Sequence, residues 1–397
     1  MYKTALASVG IFTACLAGLP ASAGDVGNST AEVAKNLSVA IKWVSGDLDS
    51  YGNAPITYSG APITFKTTHH VPKVSGLAKV QIKGYRILEK MSGGKIKVND
   101  TWSKTVHGVK DGRKAVRTGL SDSAPCFSLY SAKDYNMVHG LGLPFMFRNA
   151  HEAVATAEAL YPKYLKKEHE RFRGVKIARV SHTSTYHLYT NRPVRKLGDI
   201  KGMKIRAGGG NHSKIVGALG ATQVSMPLAS AYTAMQRGTL DAVHSSDAIA
   251  YIFKVQEVTK FRTTNGFNVL TIEYCTSGKW LDSLPRDLKV VYNNWARQYA
   301  QIEAQYFYDR LDAVHLDRMM TKHGIKKIDM DPAEVGRWKA ALSSVTEDWI
   351  VGMEKKGLPA RQFIADARAL SKKNSGTSAN DIMRAAINSP VQGMYNF

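Results

Sequence analysis

The sequence predicts an α/β protein with room for two domains. Three observations carry that reading. From about residue 62 onward, stretches of apolar–polar alternation and stretches with an apolar period near 3.6 follow one another. Beyond "NVLTIEYCTSGKWLDSLP" nearly everything is helical in pattern, and the run starting "RDLKVVYNNWARQYAQ" is long enough to bridge two lobes. The chain has 397 residues, 44% hydrophobic and 22% charged, which is enough apolar material for two cores.

The N-terminal "MYKTALASVGIFTACLAGLPASAG" carries Lys3, an apolar run too short to span a bilayer, and Ala21-Ser22-Ala23. It reads as a signal peptide over residues 1–23 with Gly24 as the first mature residue, so export is expected. "STAEVAKNLSVAIKWVSGDL" has a helical period, and a Gly/Pro/Asn/Ser-rich loop follows. "PITFKTTHHV" reads as a strand, "GLAKVQIKGYRILEKMSGG" as an amphipathic helix closed by glycines, and "KIKVNDTW" as a strand. Helical "HGVKDGRKAVRTGL" precedes strand-like "SDSAPCFSL", and a helical connection leads to the strand region "VKIARVSHTSTYHLYTN". Then come strand "DIKGMKIRA", helix "NHSKIVGALG", strand "ATQVSM", helix "LASAYTAMQRGTL" and strand end "DAVHSS". The tail "LSKKNSGTSANDIMR" has loop character, so residues 366–397 are expected to be peripheral.

The formal net charge is +22. Such a surface attracts anions, but the lysines and arginines are spread along the chain rather than blocked. That argues against a nucleic-acid partner. Cys126 and Cys275 survive cleavage and could pair in an oxidising compartment. Their separation leaves the question open, and two buried unpaired thiols are the default. No cysteine or histidine spacing predicts a metal site.

Catalytic patterns are missing. There is no G-x-S-x-G elbow, no phosphate-binding lysine loop and no H-E-x-x-H, so neither enzyme chemistry nor a cofactor is expected. One stretch does point to a ligand. Arg206 ends a strand, Gly208-Gly209-Gly210 follow, and a helix begins. Glycines let a backbone pass close to a ligand, a helix start offers free N–H groups, and a guanidinium fork suits a carboxylate.

"NRPVRKLGDIKGMKIRAGG", "ALGATQVSMPLASAYTAMQRGTLDAV" and "IFKVQEVTKF" resemble the solute-binding subunit of tripartite ATP-independent periplasmic (TRAP) transporters of the DctP type. "GRKAVRTGLSDSA", "LGLPFMF" and "KWLDSLPRDLKVV" extend the resemblance, in order, over roughly residues 62–365. It implies a two-lobed α/β periplasmic binding protein fold with a long helix spanning both lobes. Lobe I would hold 61–181 with 270–311 and lobe II 182–269 with 312–365, after an accessory segment at 24–60. It implies a monomer that binds a small organic acid in the cleft and delivers it to membrane permease subunits. The alternative is an extracytoplasmic sensor of the same fold. The family's carboxylate-binding arginine falls on Arg206, with Gly209 in the turn beside it.

The departures sharpen the expectation. Where many members place a second arginine, this chain has Tyr186. Ser230 replaces a common Glu, and His244 and Ser245 stand where Glu and Asn are usual. Phe127 and Leu228 fall on pocket-lining positions, and Thr68 and His69 should edge the cleft. With one firm cation, a second buried carboxylate would be unpaired, so a monocarboxylate is expected over a C4-dicarboxylate. A protonated His244, or another cation, could reverse this.

Overall fold

The computed structural model describes residues 30–388 apart from positions 54 and 132. The export signal at 1–23 and its cleavage point lie outside the described residues. In chain order the strands are β1 (Ile63–Thr68), β2 (Ile96–Thr101), β3 (Ser123–Pro125), β4 (Val175–His182), β5 (His187–Thr190), β6 (Lys204–Ala207), β7 (Thr222–Ser225), β8 (Ala242–Ser245), β9 (Phe261–Thr264), β10 (Thr271–Ser277) and β11 (Lys326–Asp329). They form two sheets, ordered β2-β1-β3-β10-β4 and β11-β9-β5-β8-β6-β7. β1 pairs in parallel with β2 and β3, whereas β10 runs antiparallel to β3 and β4. In the second sheet β6 is parallel to β7 and β8, and β5 is antiparallel to β8 and β9. β4 ends its sheet, but only Lys176 in it is exposed, and the helices Ala150–Leu160 and Arg286–Ile302 pack against it.

The chain moves between sheets after β4 and returns after β9. The third connection is the long helix. Arg286–Ile302 runs without interruption through a π-helical turn, Glu303–Asp309, into Arg310–His323. Its first part buries Trp295 and Tyr299 in the aromatic core of the first lobe. Its last part delivers Met319 to the cluster of Tyr189, Leu228 and Val243 in the second. The two-lobed architecture with one helix touching both lobes is therefore present. The π turn is held by buried charges. Glu303 pairs with Arg179, which lies 3.5 Å above the Tyr274 ring. Asp309 caps the helix Ala150–Leu160 through the Ala150 amide at 2.9 Å and accepts from His151.

Both ends of the described residues are more deeply packed than their composition indicates. Trp43, in the segment expected to be accessory, is fully buried, stacks on Tyr299 and donates to Gln298 at 2.8 Å. The loop-like tail is helical over Ala360–Asn374 and Ala379–Asn388, and Phe363, Met383 and Ile387 are buried. The apolar residues of that tail are few, but Ile382, Met383, Ala386 and Ile387 repeat at helical spacing and share one buried face.

The default of two free thiols is corrected. Cys126, just beyond β3, is bonded to Cys275 of β10, with Cα atoms 5.7 Å apart. Pairing of β3 with β10 sets Ala124 against Cys275 and so brings the two cysteines together. The bridge closes a loop of 149 residues, for which a loss of about 2–5 kcal/mol on removal is expected. Urea titration of a Cys126→Ala/Cys275→Ala variant measures it, and a loss below about 0.5 kcal/mol contradicts the expectation.

Candidate functional site

A cavity of about 670 Å³ lies between the two sheets and is lined from both lobes. Its walls come from the carboxyl ends of β1, β3 and β6 and from the segments linking the sheets, where α/β proteins commonly place ligands. His70 and Val71 follow β1, and Phe127, Leu129 and Tyr130 follow β3. Thr183 and Tyr186 lie on the first crossing and Leu270 on the second. Tyr308 enters from the π turn. The lining is predominantly apolar.

Arg206 is the charged centre of this wall. In β6, Ile205 and Ala207 face the core, so the alternation of the strand turns Arg206 the other way, into the cavity. Carbonyls of two adjacent segments hold its inner edge: Nε donates to Met226 at 3.0 Å and a terminal nitrogen to His244 at 3.4 Å. The Tyr130 hydroxyl is within hydrogen-bonding reach. Burial raises the Tyr130 and Tyr186 phenols above their ordinary values, so neither supplies negative charge.

The decisive comparison is with the other buried arginines. Arg179 faces Glu303, Arg262 faces Asp247 and Arg297 faces Glu158. Arg206 is only 3% exposed and has no carboxylate partner among the described residues. Burial accordingly pulls its pKa below the ordinary guanidinium value. A buried cation without a counter-ion is costly unless an anion arrives.

The structure brings Arg206, Tyr186, His69, Phe127 and Leu228 to the cavity wall. His69 is nearly enclosed, stacked on Trp102 at 4.2 Å and bonded to the Tyr85 hydroxyl at 2.6 Å. Thr68, Gly209, His244 and Ser245 are not on the wall. Thr68 turns its hydroxyl to His107 Nε2 at 3.0 Å. Gly209 has φ near 123°, and a Cβ there would stand 3.2 Å from the Leu129 carbonyl. The glycine turn thus serves a close contact between lobes, which Asn211 reinforces by donating to the His139 carbonyl at 2.8 Å.

His244 and Ser245 lie behind the wall, in β8. The Gly208 amide donates to His212 Nδ1 at 3.0 Å, so the His212 proton sits on Nε2 and points at His244 Nδ1, 2.6 Å away. Burial, followed by the Arg206 charge, holds His244 down at about 3. Burial therefore disfavours the charge that a second anion would need on His244, whose ring accepts from His212 and flanks Tyr186. Sequence reasoning missed Tyr130, Tyr274 and Tyr308, because no local pattern marks residues that meet only across the fold.

Among the described residues, His187, Asp247 and Asp312 bring possible metal-ligand atoms within 4.8 Å of one another. The Arg262 guanidinium already grips both Asp247 oxygens, at 3.0 and 2.6 Å, and Tyr189 adds another bond. This cluster is an ion pair that ties β9 to the helix Asp247–Ile252.

The fold and the cavity define the class: a two-lobed α/β binding protein whose cavity between the lobes carries one buried cation. Over residues 83–351 the chain matches the DctP family, bacterial extracellular solute-binding protein family 7, and it belongs to that family. It is similar to a TRAP periplasmic solute-binding protein from Desulfovibrio salexigens, with 27% identity and a TM-score of 0.71 over 80% of this chain and 98% of that one. A TRAP solute-binding protein from Rhodoferax ferrireducens, in complex with copurified benzoate, shares the fold at 22% identity and a TM-score of 0.72, over 79% and 98% of the two chains. A solute-binding protein of Albidiferax ferrireducens is 28% identical over 151 residues, 37% of this chain and 44% of that protein. The chain spans between 44% and 76% of the length of the curated relatives it matches.

Proposed function

We propose that this protein is the periplasmic solute-binding subunit of a TRAP transporter, that it captures a small monocarboxylic acid on Arg206, and that it delivers the acid to membrane permease subunits. The observation that carries the reading is the buried Arg206 guanidinium without a carboxylate partner. Family membership supports the transport role. Proteins of this fold hold benzoate, mandelate, succinate or L-malate, so likeness does not choose between one and two carboxylates.

The lining of the cavity favours one carboxylate. A second carboxylate would find no second buried guanidinium, and His212 and His244 are neutral. Lys104 and Lys110 line the mouth but are exposed, where water and salt screen them. They suit the attraction of an anion more than its retention. A thermal-shift screen over organic acids should therefore rank monocarboxylates above succinate, malate and fumarate. A ligand at a hundred times its dissociation constant adds about 2.7 kcal/mol to stability, which such a screen detects. Tighter calorimetric binding of a C4-dicarboxylate would overturn the reading.

A further inference from the structure

Apolar side chains from both lobes keep part of their surface open on the cavity wall. Leu77 lies on the first-lobe helix Gly76–Met91 and Phe127 follows β3. Ile249 lies on the second-lobe helix Asp247–Ile252, and Phe253 ends that helix one turn further on. All four line the cavity and are only half-buried. Among the described residues Arg206 is the one buried charge of the wall, since Lys104, Lys110 and Asp111 are exposed. The cavity of about 670 Å³ has the volume of roughly twenty liquid water molecules, and a one-ring acid fills less than half of it. Closure does not take up the difference at the glycine turn, where the lobes already touch. A Cβ on Gly208 would stand 2.6 Å from Leu129 Cδ2, and Asn211 already donates across the lobes to the His139 carbonyl. Open apolar surface gathered in one cavity, with the charge confined to one place, marks a site for an amphipathic ligand.

We propose that the ligand is a monocarboxylic acid with an apolar body larger than one ring, its carboxylate on Arg206 and its body against Leu77, Phe127, Ile249 and Phe253. The proposal rests on the reading of Arg206 as the carboxylate clamp and adds the size and polarity of what the clamp holds. Each methylene that leaves water for this wall strengthens binding by about fourfold. A short acid occupies the Arg206 end alone and leaves the half-buried side chains wet. Leu77 and Phe253 stand on different lobes, so a body that touches both also joins the lobes through apolar contact. These two side chains are the specificity-determining residues for the length of the acid.

The test is calorimetry of the wild type with butyrate, hexanoate, octanoate and decanoate, and with octanamide. Affinity should rise by roughly a hundredfold from butyrate to octanoate, with one acid bound per chain. A rise of less than about tenfold overturns the proposal, because the cavity then closes on short acids. Phe253→Ala should cut the octanoate-to-butyrate affinity ratio by about threefold or more, and Leu77→Ala should do the same from the other lobe and serves if Phe253→Ala does not fold. A smaller change of that ratio in the folded variants overturns the placement of the body. Equal binding of octanoate and octanamide by the wild type would instead sink the Arg206 reading, and the chain-length series would still decide on the apolar body.

Discussion

Arg206→Ala is expected to weaken binding of the captured acid by about 2–5 kcal/mol, the cost of truncating one partner of a buried charge pair. That is roughly thirtyfold to several-thousandfold in dissociation constant. The ligand-free protein should behave in the opposite sense. Arg206 is 3% exposed, and its charge has no counter-ion among the described residues. Removing it relieves a desolvated cation, so the melting temperature of the empty variant should be no lower than that of the wild type. Arg206→Lys should recover only part of the affinity, since an ammonium keeps the charge and loses the planar fork. Calorimetry with the acid found by screening, together with melting curves of the empty proteins, reads both effects. Binding by the folded alanine variant within about threefold of wild type would show that Arg206 is not the clamp.

Much of this architecture is legible because it depends on local pattern. Strand alternation, helical period and the long run from Arg286 carry the fold, and the position of Arg206 at a strand end before glycines marks the charged wall. What is illegible depends on contacts between distant segments. Gly209 reads as a glycine of close approach, but no local pattern shows that Leu129, eighty positions earlier, stands against it. His244 sits in the motif beside Arg206 in the sheet, yet strand alternation places its ring behind the wall, against His212. The cysteines illustrate the same limit, because only the pairing of β3 with β10 makes them neighbours.

Acidification should destabilise the protein steeply between pH 7 and pH 5, independently of any ligand. The cause is a set of buried neutral histidines. Among the described residues His169 and His182 have no hydrogen-bond partner on either ring nitrogen, and burial holds both down at about 3, as it does His244. Burial also lowers His69, His187 and His212 well below the ordinary value, and His70 and His315 to about 4. In the unfolded chain each titrates near 6.5. Between that value and the folded pKa the unfolded state binds the extra proton, so stability falls as pH falls through this window. Each of the three held near 3 then costs about 2 kcal/mol by pH 5. Buried carboxyls act in the other direction. Burial raises Glu273 to about 7 and Asp312 well above its ordinary value, and both gain stability on protonation. Burial also raises Asp122, Glu152, Glu158 and Glu168, but these six carboxyls are fewer than the eight histidines, so the expected net change is a loss. Urea midpoints at pH 7.5, 6 and 5 measure it, and a midpoint that holds or rises at pH 5 would refute the account. His182→Phe isolates one contributor. The ring packs beside Phe147, so a phenyl group suits the site, and the variant should lose about 2 kcal/mol less than wild type over the same interval. Equal losses in the two proteins would show that the His182 proton is not part of the effect.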